Sequence, residues 1–384
     1  MFVTESSKKQ IAVVAGTRPE FIKMAPVIRS LRALIGESAV KVYSTGQHRS
    51  LMDQAIHSLH LKVDVDFDLM THAQPAAEIQ RRVISALDRE FKSRRPDVVV
   101  VQGDTVSAFG GAMAGFLNNI PVAHVEAGLR SHDIGNPWPE EGLRQMIARI
   151  ASVHFAPTEI AKKNLIDEGI AEERIRIVGN PGIDSLVATQ ALEGKSSVDH
   201  GSYDFEAGRP FALITMHRRE ALHGALDVFC ENLKHIINKH TEFDFVWPLH
   251  PNPVVREIVE RHFVSPLENL HFVTPLPYDE MAKVLPNARI VISDSGGMQE
   301  EAPYCGVPII VMRDVTERPE IIDLGLGKLA GASGYSLLED FEKLIANSAD
   351  ETAVEKWRDI QGRGRSAAKI SESLLKYLNG AGLH

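Results

Sequence analysis

Three acids in this chain of 384 residues stand where carboxylates can do proton chemistry. Asp104 follows four consecutive valines in Gln102-Gly103-Asp104. Glu126 follows a second apolar run in His124-Val125-Glu126-Ala127-Gly128, and Glu140 opens a helical pattern in Pro137-Trp138-Pro139-Glu140-Glu141. Adjacent parallel strands lie about 4.8 Å apart, so acids at their ends can converge on one pocket. Such a group suits general acid–base work, because burial and like-charge neighbours raise some of the pKa values. Taken singly, each also fits a plainer role: an Asp capping a helix, a Glu on backbone N–H groups, a Glu in a capping position.

A second set of residues suits an anion. Ser293-Asp294-Ser295-Gly296-Gly297 lies between an apolar strand pattern and a helix beginning Met298-Gln299-Glu300-Glu301. Two glycines let backbone N–H groups approach a phosphate, the helix N-terminus adds its dipole, and Ser295 adds a hydroxyl. The same residues also suit a tight turn with a serine N-cap. Met216-His217-Arg218-Arg219-Glu220 follows another strand pattern, and its guanidinium and imidazole groups could neutralise a diphosphate; a solvated charge cluster is the alternative. Gly16-Thr17-Arg18-Pro19-Glu20, with Lys23 a turn later, is a third strand-to-helix turn holding cations. Glu301 can accept hydrogen bonds from a vicinal diol such as a ribose. His124, His132, His217 and His250 have no metal-ligand spacing, so no metal is expected. Neither G-x-G-x-x-G nor a Walker A sequence occurs, which weakens the dehydrogenase and P-loop readings.

The elements that must position these residues follow a βαβ rhythm. Strands are predicted at Ile11–Ala15, Val40–Thr45, Val98–Val101, Pro121–Val125, Ser152–Ala156 and Arg176–Val178. Helices are predicted from the Gly16–Glu20 turn through about Leu34, at Thr105–Asn118 and at Glu140–Ile150. A second series has strands at Phe211–Thr215, Phe243–Pro248, Leu270–Val273, Ile290–Ser293 and Pro308–Met312, with a late helix at Ser366–Leu378. The polar stretch Ala191–Gly208 separates the two series. This predicts an α/β protein of two Rossmann-like domains facing a central cleft. The first covers residues 1–179, completed by a C-terminal helix at 370–384; the second covers 180–369. Ligands of such sheets bind beyond the carboxyl ends of the strands.

Composition narrows the function classes. Hydrophobic residues make up 44% and charged residues 24%, as in ordinary globular chains. A formal net charge of −9 argues against broad binding to nucleic acid or anionic membranes. The N-terminus lacks the apolar stretch of a signal peptide, and no run of about 18 apolar residues occurs. Cys230 and Cys305 fit neither a zinc nor a disulfide framework, so a reducing, cytoplasmic setting is expected.

Set in order, Gly16–Glu20, Gln47-His48-Arg49, Gly103-Asp104-Thr105, His124–Arg130 and Pro137–Glu141 are followed by His217–Glu220, Asp294–Pro303 and Thr316-Glu317-Arg318-Pro319-Glu320. This series resembles the non-hydrolysing UDP-N-acetylglucosamine 2-epimerases of bacteria and archaea, from about residue 10 to the C-terminal region. The resemblance implies a glycosyltransferase-B-like fold, a homodimer, no cofactor, and reversible formation of UDP-N-acetylmannosamine for surface polysaccharide synthesis. It implies that Asp104, Glu126 and Glu140 are catalytic acids and that His217 lies beside the diphosphate. Arg18, Lys23, Ser295, Gly296, Gly297, Glu301 and Arg318 match the nucleotide-site positions, with Arg144, His250 and Arg313 as further substrate-binding candidates. Gln47 and His48 fall in a motif associated with a second, activating UDP-N-acetylglucosamine.

Three segments depart from the family pattern. Gln102 stands where many members have His. Ala221-Leu222-His223-Gly224 lacks an Asn often found there. Gln361-Gly362-Arg363-Gly364 replaces a commoner Pro-Tyr-Gly-acidic-Gly. The alternatives are an epimerase of a modified UDP-2-acetamido sugar, a hydrolysing epimerase, a glycosyltransferase of the same fold, and a nucleotide-sugar-binding regulator without turnover.

Overall fold

The structure, a computed structural model, describes residues 9–46, 56–69, 74–192, 203–205, 208–216, 224–249, 252–347 and 349–380. The chain divides into two compact units, Met1–Ser185 with Ile360–His384, and Leu186–Asp359.

The first unit holds a seven-stranded sheet in the order β3-β2-β1-β4-β5-β6-β7. Its strands are β1 (Ile11–Ala15), β2 (Val40–Ser44), β3 (Val65–Asp66), β4 (Val98–Gln102), β5 (Val122–Val125), β6 (Val153–Ala156) and β7 (Ile175–Ile177). Every pairing is parallel. The run Val98–Val101 shows why: a strand covered by helices on both faces needs no polar alternation, and all four valines are fully buried. Burying each such side chain contributes roughly 1.5–3 kcal/mol.

The second unit holds a six-stranded parallel sheet in the order β10-β9-β8-β11-β12-β13. These strands are β8 (Phe211–Thr215), β9 (Asp244–Pro248), β10 (Leu270–Val273), β11 (Ile290–Ser293), β12 (Ile309–Val311) and β13 (Gly327–Leu329). Its largely aliphatic core includes aromatic contacts: Trp247 meets Phe229 edge to face with ring centroids 5.5 Å apart, and both are fully buried.

The α/β class and the strands and helices named from the sequence agree with the structure, while the helices Ala76–Ser93, Glu159–Asp167 and Pro181–Gln190 had not been named. Two short strands were not foreseen, β3 and β13. Both are sheet edges of two or three residues, ordered by pairing with β2 and β12 rather than by an apolar pattern of their own. The helix Ser366–Leu378 belongs to the first unit, where the Asp184 carboxylate accepts from Ser366 N at 3.1 Å and Ala367 N at 2.8 Å. Two orphan donors of that helix are thereby satisfied. The departing segment Gln361–Gly364 is the turn before it. Asn180 N donates to the Gln361 carbonyl and Asn180 Nδ2 to Gln361 Oε1, each at 3.1 Å. A Cβ on Gly179 would run into Gln361 and Gly362, so glycine is what lets these two backbones touch. Among the described residues, no helix is long and apolar enough to cross a membrane.

Candidate active site

In the first sheet the strand order reverses direction between β1 and β4, the place where open α/β sheets bind ligands. The loop after β1 is locked by a capping box. Thr17 Oγ1 accepts from Glu20 N at 3.4 Å, while Glu20 Oε2 accepts from Thr17 N at 2.8 Å and Gly16 N at 3.1 Å. The other carboxylate oxygen, Glu20 Oε1, accepts from Thr105 Oγ1 at 2.8 Å. Glu20 therefore ties the loop after β1 to the loop after β4. It is wholly buried, and burial pushes its carboxyl up to about 7 despite these donors. A Cβ on Gly16 would collide with Thr45 Oγ1 and Ser107 Oγ, which hydrogen-bond each other at 2.7 Å. Arg18 is the first residue of the helix Arg18–Ile35, and Lys23 lies on its next turn.

Gln102 of β4 pairs with Val125 of β5, so the two residues that follow these strands, Asp104 and Glu126, lie at neighbouring strand ends. Each carboxylate has its own cation. Lys23 Nζ is ion-paired with Glu126 Oε2, which also accepts from Gln102 Nε2 at 2.8 Å. Arg144 grips Asp104 Oδ2 through Nε at 2.9 Å and through Nη2. Gln102, noted in the sequence only as a departure, is thus a direct partner of Glu126. Both strand-end turns use the left-handed region, Gly103 with φ 69° and Glu126 with φ 63°. A non-glycine there is strained, and such strain clusters at functional sites.

His124 donates from Nε2 to the Gly103 carbonyl at 2.7 Å, pinning that turn. Burial pushes its imidazole down to about 4, and that of its strand neighbour His154 down to about 3. Both rings are therefore neutral near pH 7, and His124 is a hydrogen-bonding residue.

Glu140 opens the helix Glu140–Ile150 and is half-buried. It lies four residues before Arg144, so the two share one face of that helix. Glu141 points elsewhere and is fully buried. Its Oε2 accepts from Arg144 Nη1 and from Ser131 N, each at 3.1 Å, and its Oε1 accepts from Gln145 Nε2 at 2.9 Å. Sequence reasoning passed over Glu141 as a site residue. The three-residue spacing to Arg144 was the available signal.

The second sheet reverses direction between β8 and β11. Thr215 and Ser293 hydrogen-bond across that pair at 2.6 Å, and Ser293 Oγ accepts from Ser295 N at 2.9 Å. Ser295 is the N-cap of the helix Gly296–Tyr304, but its side chain makes no capping hydrogen bond. The plain serine-cap reading therefore fails here, and the hydroxyl and the first helical N–H groups share one end of the helix. Gly296 gives room to Arg318: an added Cβ would lie 3.3–3.4 Å from the guanidinium.

Arg318 donates from Nε to Glu300 Oε1 at 2.6 Å and from Nη1 to Glu317 Oε2 at 3.4 Å. Arg313 holds Glu317 through Nη1 at 2.9 Å and Nη2 at 3.3 Å. Glu301 is buried and accepts from the Tyr278 hydroxyl at 3.4 Å. These buried arginine–carboxylate contacts, which no sequence spacing announced, fix where the guanidinium of Arg318 points. Four of the sequence candidates, Gln47, His48, His217 and His250, lie outside the described residues. Among the described residues, no three His, Cys, Asp or Glu side chains are grouped as metal ligands would be.

Comparison with known proteins identifies the family and the fold. A family model described as UDP-N-acetylglucosamine 2-epimerase matches residues 34–375. The UDP-N-acetylglucosamine 2-epimerase of Campylobacter jejuni is 37% identical over 380 residues, 97% of this chain and 98% of that one. A crystal structure of the Neisseria meningitidis enzyme bound to UDP-N-acetylglucosamine has a TM-score of 0.85 at 35% identity, covering 96% of this chain and all (100%) of that chain. A glycosyltransferase from Streptomyces nogalater, 18% identical with a TM-score of 0.60, covers 97% of this chain and 100% of its own and shows the shared fold alone. By sequence and by fold, this chain belongs to the UDP-N-acetylglucosamine 2-epimerase family.

Proposed function

We propose that this protein reversibly epimerises C2 of UDP-N-acetylglucosamine to give UDP-N-acetylmannosamine, by eliminating and re-adding UDP. The observation that carries the reading is the pair of strand-end carboxylates, Asp104 and Glu126, each held by its own cation, in a chain of this family. C2 of the sugar is not next to a carbonyl, so its proton cannot simply be removed to a stabilised carbanion. Breaking the C1–O bond solves the problem. The bond's electron pair leaves with the UDP β-phosphate oxygen while a carboxylate takes H2, and the C2–H pair becomes the C1=C2 bond of a 2-acetamidoglucal. In the reverse step a proton is delivered to the opposite face of C2 and UDP re-adds at C1. Asp104, Glu126 and Glu140 are the residues for these proton transfers.

Ser295, Gly296, Gly297 and Arg318 suit the diphosphate, since a helix N-terminus and a fixed guanidinium stabilise the charge of the departing UDP. Arg18, Lys23, Arg144, Glu301 and Arg313 complete the substrate set, with His217 and His250. The protein works as a cytoplasmic homodimer supplying surface polysaccharide synthesis, and Gln47 and His48 belong to a second, activating UDP-sugar site.

Proton NMR of UDP-N-acetylglucosamine incubated with the protein in D₂O tests this. Deuterium at C2 together with a UDP-N-acetylmannosamine signal is the expected result, with Asp104→Asn and Glu126→Gln slowing exchange by at least about a hundredfold while UDP still binds. No exchange, no new sugar and no UDP release would overturn the reading. Unchanged exchange in both variants would overturn the site assignment alone.

A further inference from the structure

Glu141 takes no part in the proton transfers proposed above, yet it is fully buried one residue from Glu140. A buried carboxylate is costly unless donors surround it. Here there are three: Ser131 N, Gln145 Nε2 and Arg144 Nη1. Two of them serve only to seat the carboxylate, leaving its Oε2 aimed at Arg144. The guanidinium is planar, with its donors in a fixed fork. Holding Nη1 therefore sets the plane of the group and decides which edge is left for other partners. That edge, Nε and Nη2, lies on Asp104 Oδ2. Glu141 and Arg144 stand three residues apart on one helix, so their mutual geometry is set by a rigid element rather than a loop.

We propose that Glu141 is a positioning residue for Asp104 that acts through Arg144: its carboxylate fixes the guanidinium whose opposite edge fixes the Asp104 carboxylate. The proposal rests on Asp104 doing proton chemistry, as above. Without Glu141 the guanidinium loses the carboxylate that sets its Nη1 side, and the alignment of Asp104 with C2 is degraded.

The test measures kcat, KM and UDP affinity for Glu141→Ala, Glu141→Gln and Glu141→Asp, each alone and combined with Arg144→Met, with C2 deuterium exchange as the sensitive readout. Misplacement by about 1 Å costs up to about a hundredfold, so E141A is expected to lower kcat about ten- to hundredfold with UDP affinity within about twofold. E141Q keeps an oxygen for Arg144 Nη1 and Ser131 N, with the Gln145 amide turning to meet the new NH₂ group, and should recover most of kcat. E141D keeps the charge but withdraws the oxygens, and should not. In the R144M background none of the three should add a further loss, because the route to Asp104 is already cut.

An E141A loss that repeats in full beside R144M overturns the proposal, as does a parallel fall in UDP affinity. So does an order in which Asp rescues and Gln does not, which would make charge rather than orientation the agent. If E141A does not fold, the Gln and Asp pair decides the matter by the same order. Wild-type protein without C2 exchange overturns the epimerase reading and this proposal together. Wild-type exchange with all three variants fully active overturns this proposal alone.

Discussion

Replacing Glu20 by glutamine should make the protein relatively more stable as the pH rises. The Glu20 carboxyl is wholly buried and titrates at about 7 in the folded chain, against an ordinary value of 4.5. Between those two values the unfolded chain has released a proton that the folded chain still holds. The unfolded state therefore binds fewer protons, and wild-type stability falls with rising pH across this window. The stabilisation from the protonated carboxyl is complete below about 4.5, is lost as pH rises through about 7, and changes no further above that.

The displacement corresponds to about 3 kcal/mol in full, and to about 2.5 kcal/mol between pH ~5 and pH ~8. Glutamine has nearly the same shape and cannot ionise. Its oxygen can accept from Gly16 N and Thr17 N in place of Oε2, and its NH₂ can donate to Thr105 Oγ1, whose hydroxyl hydrogen turns away. The variant should lack the loss. Calorimetric melting of both proteins at pH ~5 and pH ~8 measures it: the Tm of E20Q relative to wild type should rise by about 5–10 °C over that interval, at roughly 2–4 °C per kcal/mol for a unit of this size. A constant Tm difference would show that Glu20 is already ionised in the folded protein at both pH values, and would refute the argument from burial.

Two further outcomes are expected. Asp184→Ala removes the acceptor for Ser366 N and Ala367 N and should cost about 1–2 kcal/mol in urea unfolding; an unchanged midpoint would mean that the helix Ser366–Leu378 does not depend on this cap. Gly296→Ala places a methyl group against the Arg318 guanidinium and should weaken UDP binding about tenfold in titration calorimetry, the loss of one charge-assisted hydrogen bond; unchanged affinity would remove Arg318 and Gly296 from the diphosphate site.

Much of the architecture was legible because it depends on local pattern. Four consecutive β-branched valines favour a strand covered on both faces, and Glu140–Ile150 and Ser366–Leu378 have the boundaries that their pattern indicated. The strands β3 and β13 were not legible, because a two- or three-residue edge strand has no pattern of its own and exists only through the neighbour it pairs with.

The candidate site divides in the same way. The amino-acid sequence alone determined the residue types at the strand ends: which carboxylates, glycines and cations follow which apolar runs, and so which kind of chemistry is available. It also carried the ordered motifs of the family. Only the tertiary structure decided the pairings that give those residues their properties: Lys23 and Gln102 on Glu126, Arg144 between Glu141 and Asp104, Glu20 bridged to Thr105, Arg318 between Glu300 and Glu317. The physical reason is that hydrogen bonds and charge–charge interactions depend on distances of a few ångströms and on burial. For Glu20 and Thr105, 85 positions apart in the chain, both are set only when β1 and β4 lie side by side.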